Sequence, residues 1–385
     1  MREDLVYVGT YTDPDRQASW KVSPERPFMG LKAKTGSQGI YLFGQNPATG
    51  KLTPRGCVTG LLNPSYLALS PRGLALFVTS EVRFTDGQPS GAVSAFALNG
   101  EVPRYRGSAL NGGGNPSHVS VSHDGRFLLV ASHEHGLVSV LPVDEHGSIG
   151  MPVDIRRDPP NDPAGARGSH AHYATVDPSG EWVLATNTGT NRISVYRFDT
   201  ASGRLTPGEP AAVELRAGAG PRHLAFHPTL PVAYANGEHD GSVTVLRWDA
   251  AVGRLTPVEC LSALPDSVPA AIVEANPFGR LKSAHLALHP SGRLLLVSNR
   301  GYDSIAVYAV DPESGRLQRL GIHPTRGATP RAFGIDPRGA FVYVANQNAD
   351  SIDCYRTDSE DGDLAFTGLT TEVPAPACVV FSPDA

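Results

Sequence analysis

Two patterns of alternating apolar and polar residues recur along the chain. The first is a short apolar strand, an acidic or small turn and then Gly-x-Leu or a close variant, as in RISVYRFDTASGRL and SIAVYAVDPESGRL. The second is a pair of apolar strands joined by a turn with Pro or Asp, as in YATVDPSGEWVLATN and HLALHPSGRLLLVSN. Each pattern occurs seven times, and the turn glycines of the first are Gly50, Gly100, Gly147, Gly203, Gly253, Gly315 and Gly362.

These repeats predict the fold class. Each unit contains about four short strands with period-two alternation, bounded by Gly, Pro, Asp and Asn. A repeat of about 50 residues that contains four strands is typical of a propeller blade. The sequence therefore predicts an all-β, seven-bladed β-propeller that forms a single domain over residues 1–385.

The two ends of the chain complement each other. The seventh copy of the second pattern stops after one strand, in CVVFSPDA, whereas the strands LVYVGTYT and GIYLFGQN stand alone at the start. We expect the closing blade to combine these N-terminal strands with the C-terminal strand, which protects sheet edges that an open array would expose.

Composition and charge argue against nucleic acids and membranes as partners of this protein. The chain of 385 residues has 33 Lys and Arg against 38 Asp and Glu, a net charge of −5. It thus lacks the basic balance of a nucleic-acid-binding protein. No apolar run approaches the ~18 residues of a membrane span, and the start MREDLVYVGTYT lacks the apolar region of a signal peptide. We expect a cytoplasmic protein, a monomer or small homo-oligomer, with no nucleic-acid or membrane partner.

The start of each inner strand is expected to open at the mouth of a central channel. Aligning the seven units on the turn residue between the paired strands brings equivalent positions together. The sixth residue before that turn is Ser65, Ser117, His172, Arg222, Ala284, Arg331 and Ala377. The fifth is Tyr66, His118, Tyr173, His223, His285, Ala332 and Cys378. Buried Arg and His are costly without a partner, so these positions predict a site for an anionic or carbonyl-bearing small molecule.

Glu238 is a further candidate, since it directly follows the second strand of its pair, and other units carry Asn187, Asn299 and Asn346 near that point. It suits the role of a base or of a counter-ion for the arginines.

No metal or other cofactor is expected. His170 and His172 lie two apart and share a strand face, but the nearby arginines would repel a cation. The four cysteines form no CxxC motif, so neither disulfides nor a zinc site are expected. The turn histidines His123, His227 and His289 are expected at the surface.

The ordered phrases NPSHVSVSHDGRFLLVAS, SHAHYATVDPSG, GPRHLAFHP, LLLVSNRG and TPRAFGIDPRG resemble the lactonase family of seven-bladed propellers over essentially the whole chain. That family includes cycloisomerase-type 6-phosphogluconolactonases and carboxy-muconate cyclases. By motif, the resemblance implies that the active-site groups are His172, Arg222, Glu238 and Arg331. Three of these coincide with positions from the alignment on the turns.

Two features depart from the family. Relatives usually carry an acidic residue at the position of His285. A long insert at about 11–38 carries several Lys and Arg residues, and it suits either a surface loop or a lid over the channel.

The leading hypothesis is hydrolysis of a sugar lactone such as 6-phosphogluconolactone. Glu238 or His172 would activate water, while Arg222 and Arg331 would stabilise negative charge. The proposed substrate-binding residues are His118, His223, His285, Tyr66 and Tyr173. The absence of GxSxG indicates direct attack by water. The alternatives are a carboxy-cis,cis-muconate cyclase-type isomerase, and a non-catalytic scaffold or small-ligand sensor.

Overall fold

The structure, a computed structural model, describes residues 3–13, 36–100, 102–158, 168–275, 281–358 and 361–382. Most of the insert predicted at 11–38 lies outside the described residues. Over these ranges the chain forms 28 strands in seven four-stranded sheets, a short helix α1 (Ala270–Ala275) and one turn of 3-10 helix (Gln347–Ala349). No helix in these ranges has the length and apolar character that a membrane span requires.

Four sheets belong to one compact unit, the four-sheet unit, which comprises Tyr66–Glu238 and Val243–Leu261. In each sheet, strands that follow one another in the chain are hydrogen-bonded neighbours. Their bounds are β4 (Leu67–Leu69), β5 (Ala75–Ser80), β6 (Ala92–Ala97) and β7 (Arg104–Leu110); β8 (Pro116–Val121), β9 (Phe127–Ser132), β10 (Leu137–Pro142) and β11 (Asp154–Arg157); β12 (Ala171–Val176), β13 (Trp182–Asn187), β14 (Arg192–Phe198) and β15 (Leu205–Glu214); and β16 (Pro221–Phe226), β17 (Val232–Gly237), β18 (Ser242–Asp249) and β19 (Arg254–Ser262).

The remaining three sheets form the second compact unit, the three-sheet unit. The bounds of its strands are β20 (Lys282–Leu288), β21 (Leu294–Arg300), β22 (Ser304–Val310) and β23 (Leu317–Pro324); β24 (Pro330–Ile335), β25 (Phe341–Asn346), β26 (Ser351–Thr357) and β27 (Leu364–Glu372); and β28 (Pro376–Phe381), β1 (Asp4–Thr10), β2 (Gly39–Gln45) and β3 (Leu52–Thr59).

The closing sheet has the predicted composition. Strand β28 pairs antiparallel with β1, with Tyr7 opposite Val380, and β1 pairs with β2. The order of this sheet is β28-β1-β2-β3, so it joins the last strand to the first three. These seven sheets confirm the predicted all-β, seven-bladed propeller class. The single-domain boundary at 1–385 stays a prediction.

Sheets pack face to face through strands that are buried on both sides. Every residue of β13 is buried. Its Val183 and Ala185 join a core cluster with β9 and β10, whereas Trp182 and Leu184 join a second cluster with β16–β18. Alternate residues of a strand point to opposite faces, so one apolar strand supplies two cores.

The turn between the first two strands of a sheet also links neighbouring sheets. Asp177, which is buried, accepts hydrogen bonds from the Trp182 N–H at 2.9 Å and the Ser179 hydroxyl at 2.7 Å. The indole N–H of Trp248, on β18 of the next sheet, donates to the same carboxylate at 3.1 Å. Asp177 therefore fixes its own turn and the contact between two sheets.

Two of the three turn histidines correct the sequence expectation. His123 is exposed as expected, but His227 and His289 are buried. The Nδ1 of His227 accepts from the Leu230 N–H at 3.0 Å, and the Nε2 of His289 contacts the Gly339 carbonyl oxygen at 2.8 Å. The surface assignment was wrong because these rings cap backbone groups and thereby become part of the packing.

We predict that Asp177→Ala destabilises the protein strongly. The substitution leaves buried donors from two sheets without their acceptor, which costs roughly 2–4 kcal/mol of unfolding free energy. Urea denaturation followed by tryptophan fluorescence measures the change.

Asp199→Ala is the matched control. Asp199 also caps a turn, accepting from the Ala201 N–H at 2.9 Å, but it is exposed. Its loss is expected to change stability much less. Equal losses for the two variants would contradict the role given to the buried carboxylate.

Candidate functional site

The first strands of neighbouring sheets in the four-sheet unit contact one another, β4 with β8, β8 with β12 and β12 with β16. Four aromatic rings, one from each sheet, meet at the beginning of these strands. The ring centroids are 4.4 Å apart for Tyr66 and His118, 3.8 Å for His118 and Tyr173, and 5.1 Å for Tyr173 and His223. Tyr66 and His223 close the circle at 6.0 Å. All four were predicted as substrate-binding residues, and the structure brings them together.

A buried ion pair lies beside this circle of rings. Arg222 and Glu238 are 3% and 7% exposed, and the Arg222 Nε lies 3.6 Å from Oε2 of Glu238. Pro221 on β16 pairs with Gly237 on β17. Because the strands are antiparallel, Arg222 and Glu238 lie diagonally across the ladder, one on each side of that pair, and their long side chains span the diagonal. A slip of one residue would separate them.

Arg222 is also held by its neighbours on both sides. Its Nη1 lies 2.9 Å from Nε2 of His223, and its carbonyl oxygen accepts from the Thr186 hydroxyl at 2.6 Å. A guanidinium only donates, so Nε2 of His223 accepts and the proton of that imidazole resides on Nδ1.

His172 completes the set in this unit. It is buried, and its ring centroid lies 5.4 Å from that of His223 and 6.0 Å from that of His133. Its carbonyl oxygen accepts from the Ser117 hydroxyl at 3.2 Å, which ties β12 to β8. The structure thus groups three of the four predicted catalytic residues, His172, Arg222 and Glu238, in one unit.

The fourth, Arg331, and the predicted binding residue His285 belong to the three-sheet unit. Arg331 is buried on β24, with its guanidinium carbon 5.0 Å from the centroid of the Tyr11 ring. His285 is partly exposed on β20, and its ring packs edge-on against Phe333 at 4.7 Å. Their roles stay predictions.

The structure shows a second position that recurs from sheet to sheet. Apart from Glu238, its residues were not predicted as functional from the sequence. We call it the exit position: the residue at the register of Glu238, which is either the last residue of the second strand of the pair or the residue directly after it. In most sheets its N–H bonds a carbonyl just before the first strand, as Glu238 does to Gly220 at 2.8 Å and His133 to Asn115 at 2.9 Å. Other exit positions hold Tyr11, Glu81, Thr188, Arg300 and Gln347.

Arg300 is the most conspicuous of these omissions. It is 1% exposed, and its Nη2 donates to the Ser283 carbonyl oxygen at 3.2 Å. The signal was present in the sequence, since Arg300 follows Asn299 in SNRG as Glu238 follows Gly237 in NGEH. Asn187, Asn299 and Asn346, which were expected near the point of Glu238, align with Gly237, one residue before it.

The described residues contain no group of three or more His, Cys, Asp or Glu placed to hold a metal ion. The expectation that no metal binds stays a prediction. The arrangement in the four-sheet unit instead provides a fixed cation, a carboxylate and several imidazoles, which suits binding and proton transfer at a carbonyl group.

We predict that Arg222 and Glu238 depend strongly on each other in their effect on the free energy of unfolding. Glu238→Leu or Arg222→Met alone leaves a buried charge without its partner and costs about 3 kcal/mol or more, whereas the double variant recovers most of the loss. A double-mutant cycle in urea measures the coupling. The exposed Arg197–Glu181 pair, with N and O 2.8 Å apart, is the control, and its cycle is expected to give less than about 1 kcal/mol. Equal coupling energies would contradict burial as the cause.

We also predict that the phenol of Tyr173 stays protonated at neutral and moderately alkaline pH. Tyr173 retains some exposed surface, yet desolvation raises the pKa of its phenol from 10.0 to about 12. As the pH rises, the unfolded chain loses the Tyr173 proton at a lower pH than the folded protein does. Tyr173 therefore makes its full contribution to the free energy of unfolding below pH ~10, and this contribution declines as the pH rises towards 12. Absorbance titration at 295 nm of wild type and Tyr173→Phe should coincide up to about pH 10.5. A wild-type tyrosine that titrates with a midpoint near 10 and is missing from the variant would refute this.

Comparison with known proteins agrees with the geometry. The family described as Lactonase, 7-bladed beta-propeller, matches residues 5–381. A 6-phosphogluconolactonase of Bacillus subtilis is 32% identical over 360 residues, covering 92% of this chain and 97% of the relative. The periplasmic gluconolactonase structure from Pseudomonas aeruginosa superposes with a TM-score of 0.85 at 28% identity, with 99% of each chain covered. A structure from Lactobacillus plantarum gives a TM-score of 0.82 at 28% identity, again with 99% of each chain covered. The chain therefore belongs to the lactonase family of seven-bladed β-propellers.

Proposed function

We propose that this protein hydrolyses a sugar lactone at the cluster formed by His172, Arg222, His223 and Glu238. One observation carries the proposal: a guanidinium and a carboxylate, both buried, lie 3.6 Å apart beside the imidazoles of His172 and His223. Family membership supports it, as do the 6-phosphogluconolactonase of Bacillus subtilis and the gluconolactonase of Pseudomonas aeruginosa.

Glu238 is assigned as the general base. Its carboxylate lies next to a guanidinium, which favours the ionised form that accepts a proton. A water molecule transfers a proton to Glu238 as its oxygen attacks the lactone carbonyl carbon. The site needs no covalent intermediate for this step.

Arg222 stabilises the oxyanion that this attack creates. The guanidinium is fixed by His223 and by the contact of its backbone with Thr186, so little reorganisation is needed as charge develops. A preorganised donor in a water-poor site contributes more to transition-state stabilisation than the same donor in water.

His172 protonates the leaving ring oxygen as the carbon–oxygen bond of the ring breaks. The products are the open-chain hydroxy acid and a neutral imidazole, and the proton held by Glu238 then restores the starting state through solvent. The rings of Tyr66, His118 and Tyr173 line the sugar-binding surface in this assignment. The expected roles of Arg331 in holding negative charge and of His285 in substrate binding stay predictions.

The cytoplasmic location expected from the sequence stays a proposal, since a similar structure comes from a protein named as periplasmic. The preference for a 6-phosphate is likewise a proposal that a substrate comparison decides. The muconate cyclase and scaffold alternatives make different predictions in the same experiment.

We predict that Arg222→Ala and Glu238→Gln each lower kcat/KM for gluconolactone hydrolysis by ~100-fold or more, because each removes a group needed in the transition state. The measurement follows proton release at near-neutral pH with gluconolactone and its 6-phosphate, and subtracts the spontaneous rate. Circular dichroism and thermal unfolding identify variants that fail to fold.

Arg197→Ala and Glu181→Gln provide matched controls, since they alter an exposed ion pair of the same unit and should retain activity within twofold. Full activity in the Arg222 and Glu238 variants would overturn the site. Absence of lactone hydrolysis in the wild type, with turnover of a muconate dicarboxylate, would favour the cyclase. Turnover of neither would favour the scaffold.

A further inference from the structure

The first strand of the sheet that carries Arg222 begins with an irregularity in its pairing. The register of β16 against β17 shifts by one residue between Pro221 and Leu224. Arg222 and His223 therefore face the single residue Asn236, which is the two-against-one arrangement of a β-bulge. Bulges are common next to active sites, where they change the direction of a side chain. The direction of the Arg222 side chain thus depends on the geometry of this bulge.

The same shift recurs in five other sheets at the equivalent point of the first strand. In β12, for example, Ala171 and Tyr173 pair with consecutive residues of β13, so His172 is the extra residue. Three of the four predicted catalytic residues, His172, Arg222 and Arg331, therefore lie at bulges. The residues enclosed by the shift in these five sheets are Ser117, His172, Ala284 with His285, Arg331 and Ala377.

Asn236 supplies a hydrogen bond that holds the bulge in β16. Its side chain is completely buried, and its Oδ1 accepts from the His223 N–H at 3.0 Å. A bulge interrupts the regular ladder of backbone hydrogen bonds, and a buried N–H without an acceptor is costly. The side-chain amide of Asn236 therefore takes the place of a backbone carbonyl.

Two other sheets use a side chain in the same way at the same position, two residues before the exit position. The Tyr66 N–H donates to the Thr79 hydroxyl at 3.2 Å, and the His285 N–H donates to the Ser298 hydroxyl at 2.9 Å. Thr and Ser thus replace Asn at this position of the fold. The recurrence indicates that the bulge requires an acceptor atom and not an amide group as such.

The hydrogen bond of Asn236 reaches the catalytic cluster through His223. Asn236 fixes the backbone of His223, and Nε2 of the His223 ring lies 2.9 Å from Nη1 of Arg222. The Nε of Arg222 lies 3.6 Å from Oε2 of Glu238. On β17, Glu238 follows Asn236 by two residues, and its own N–H donates to the Gly220 carbonyl oxygen at 2.8 Å. Asn236 therefore ties together the two segments that carry the guanidinium and the carboxylate.

We propose that Asn236 is a positioning residue for lactone hydrolysis: its side chain holds the bulge that directs Arg222 towards the developing oxyanion. This inference rests on the proposed function, in which Arg222 stabilises that oxyanion. Asn236 contacts no reacting atom in this assignment, so it contributes to turnover and not to binding of the lactone. Displacing a catalytic group by about 1 Å lowers the rate by ~100-fold.

The test compares Asn236→Val with Asn236→Thr, because the two new side chains have nearly the same shape and only threonine has an acceptor hydroxyl. In Asn236→Val we expect kcat for glucono-δ-lactone to fall by about 10- to 100-fold, with KM within about threefold of wild type. Asn236→Thr should recover most of this loss. If Asn236→Val does not fold, Asn236→Ala and Asn236→Ser provide the same comparison.

Ser139→Ala is the matched control for the loss of a buried hydrogen bond. Ser139 lies on β10 of the same unit, is buried, and donates its hydroxyl to the Asn111 carbonyl oxygen at 2.6 Å. Its substitution should lower the midpoint of urea denaturation and leave kcat within about twofold of wild type.

Equal kcat values for Asn236→Val and Asn236→Thr, or an equal fall of kcat in Ser139→Ala, would overturn the inference and leave the proposed function intact. A rise of KM at unchanged kcat in Asn236→Val would do the same. Absence of glucono-δ-lactone hydrolysis by the wild type would overturn the proposed function itself.

Discussion

The burial of one arginine beside one glutamate constrains the chemistry of the four-sheet unit. Taking two charges out of water is costly, and their attraction offsets the cost only when geometry is good and further hydrogen bonds are made. Arg222 meets these conditions through Glu238 and through Nε2 of His223. The pairing of Pro221 with Gly237 in antiparallel β16 and β17 supplies the geometry, because it places the two charges diagonally across the ladder, within reach of long side chains.

The same register recurs from sheet to sheet, and this recurrence builds a site from separate parts of the sequence. The fifth position before each turn contributes Tyr66, His118, Tyr173 and His223, and their rings contact one another. The exit position contributes a second set, which includes Glu81, His133 and Glu238. Sheets with the same backbone can thus exchange one polar group for another without a change in fold. Chemical diversity comes from these few positions.

The repeats were sufficient to predict the sheets, the closing blade and the four residues whose aromatic rings contact one another. Alternation with period two and a fixed distance to the turn determine where a strand residue points, and both are visible in the sequence. The exit positions were harder, because the connections that follow them differ in length and composition, as in SEVRFTDGQPSGAVS and SHEHGLVS. Glu238 was found from its place directly after the second strand of its pair, whereas Glu81 and Arg300 emerged only from strand pairing and burial.

The turn histidines show a different limit of sequence reasoning. A polar residue in a turn is usually exposed, but His289 contacts the Gly339 carbonyl oxygen and is buried by that contact. Such a bond joins residues 50 positions apart, and local pattern carries no information about it. The insert at 11–38 lies mostly outside the described residues, and its role as a lid or surface loop stays a prediction.

The most direct test of the central claim is a crystal structure with gluconolactam, a hydrolysis-resistant analogue of the sugar lactone. We predict that its carbonyl oxygen lies within about 3 Å of the Arg222 guanidinium, with Glu238 on the side from which water attacks. Binding at this position would establish the four-sheet cluster as the site of lactone hydrolysis. Gluconolactam bound elsewhere, with Arg222 and Glu238 untouched, would contradict it.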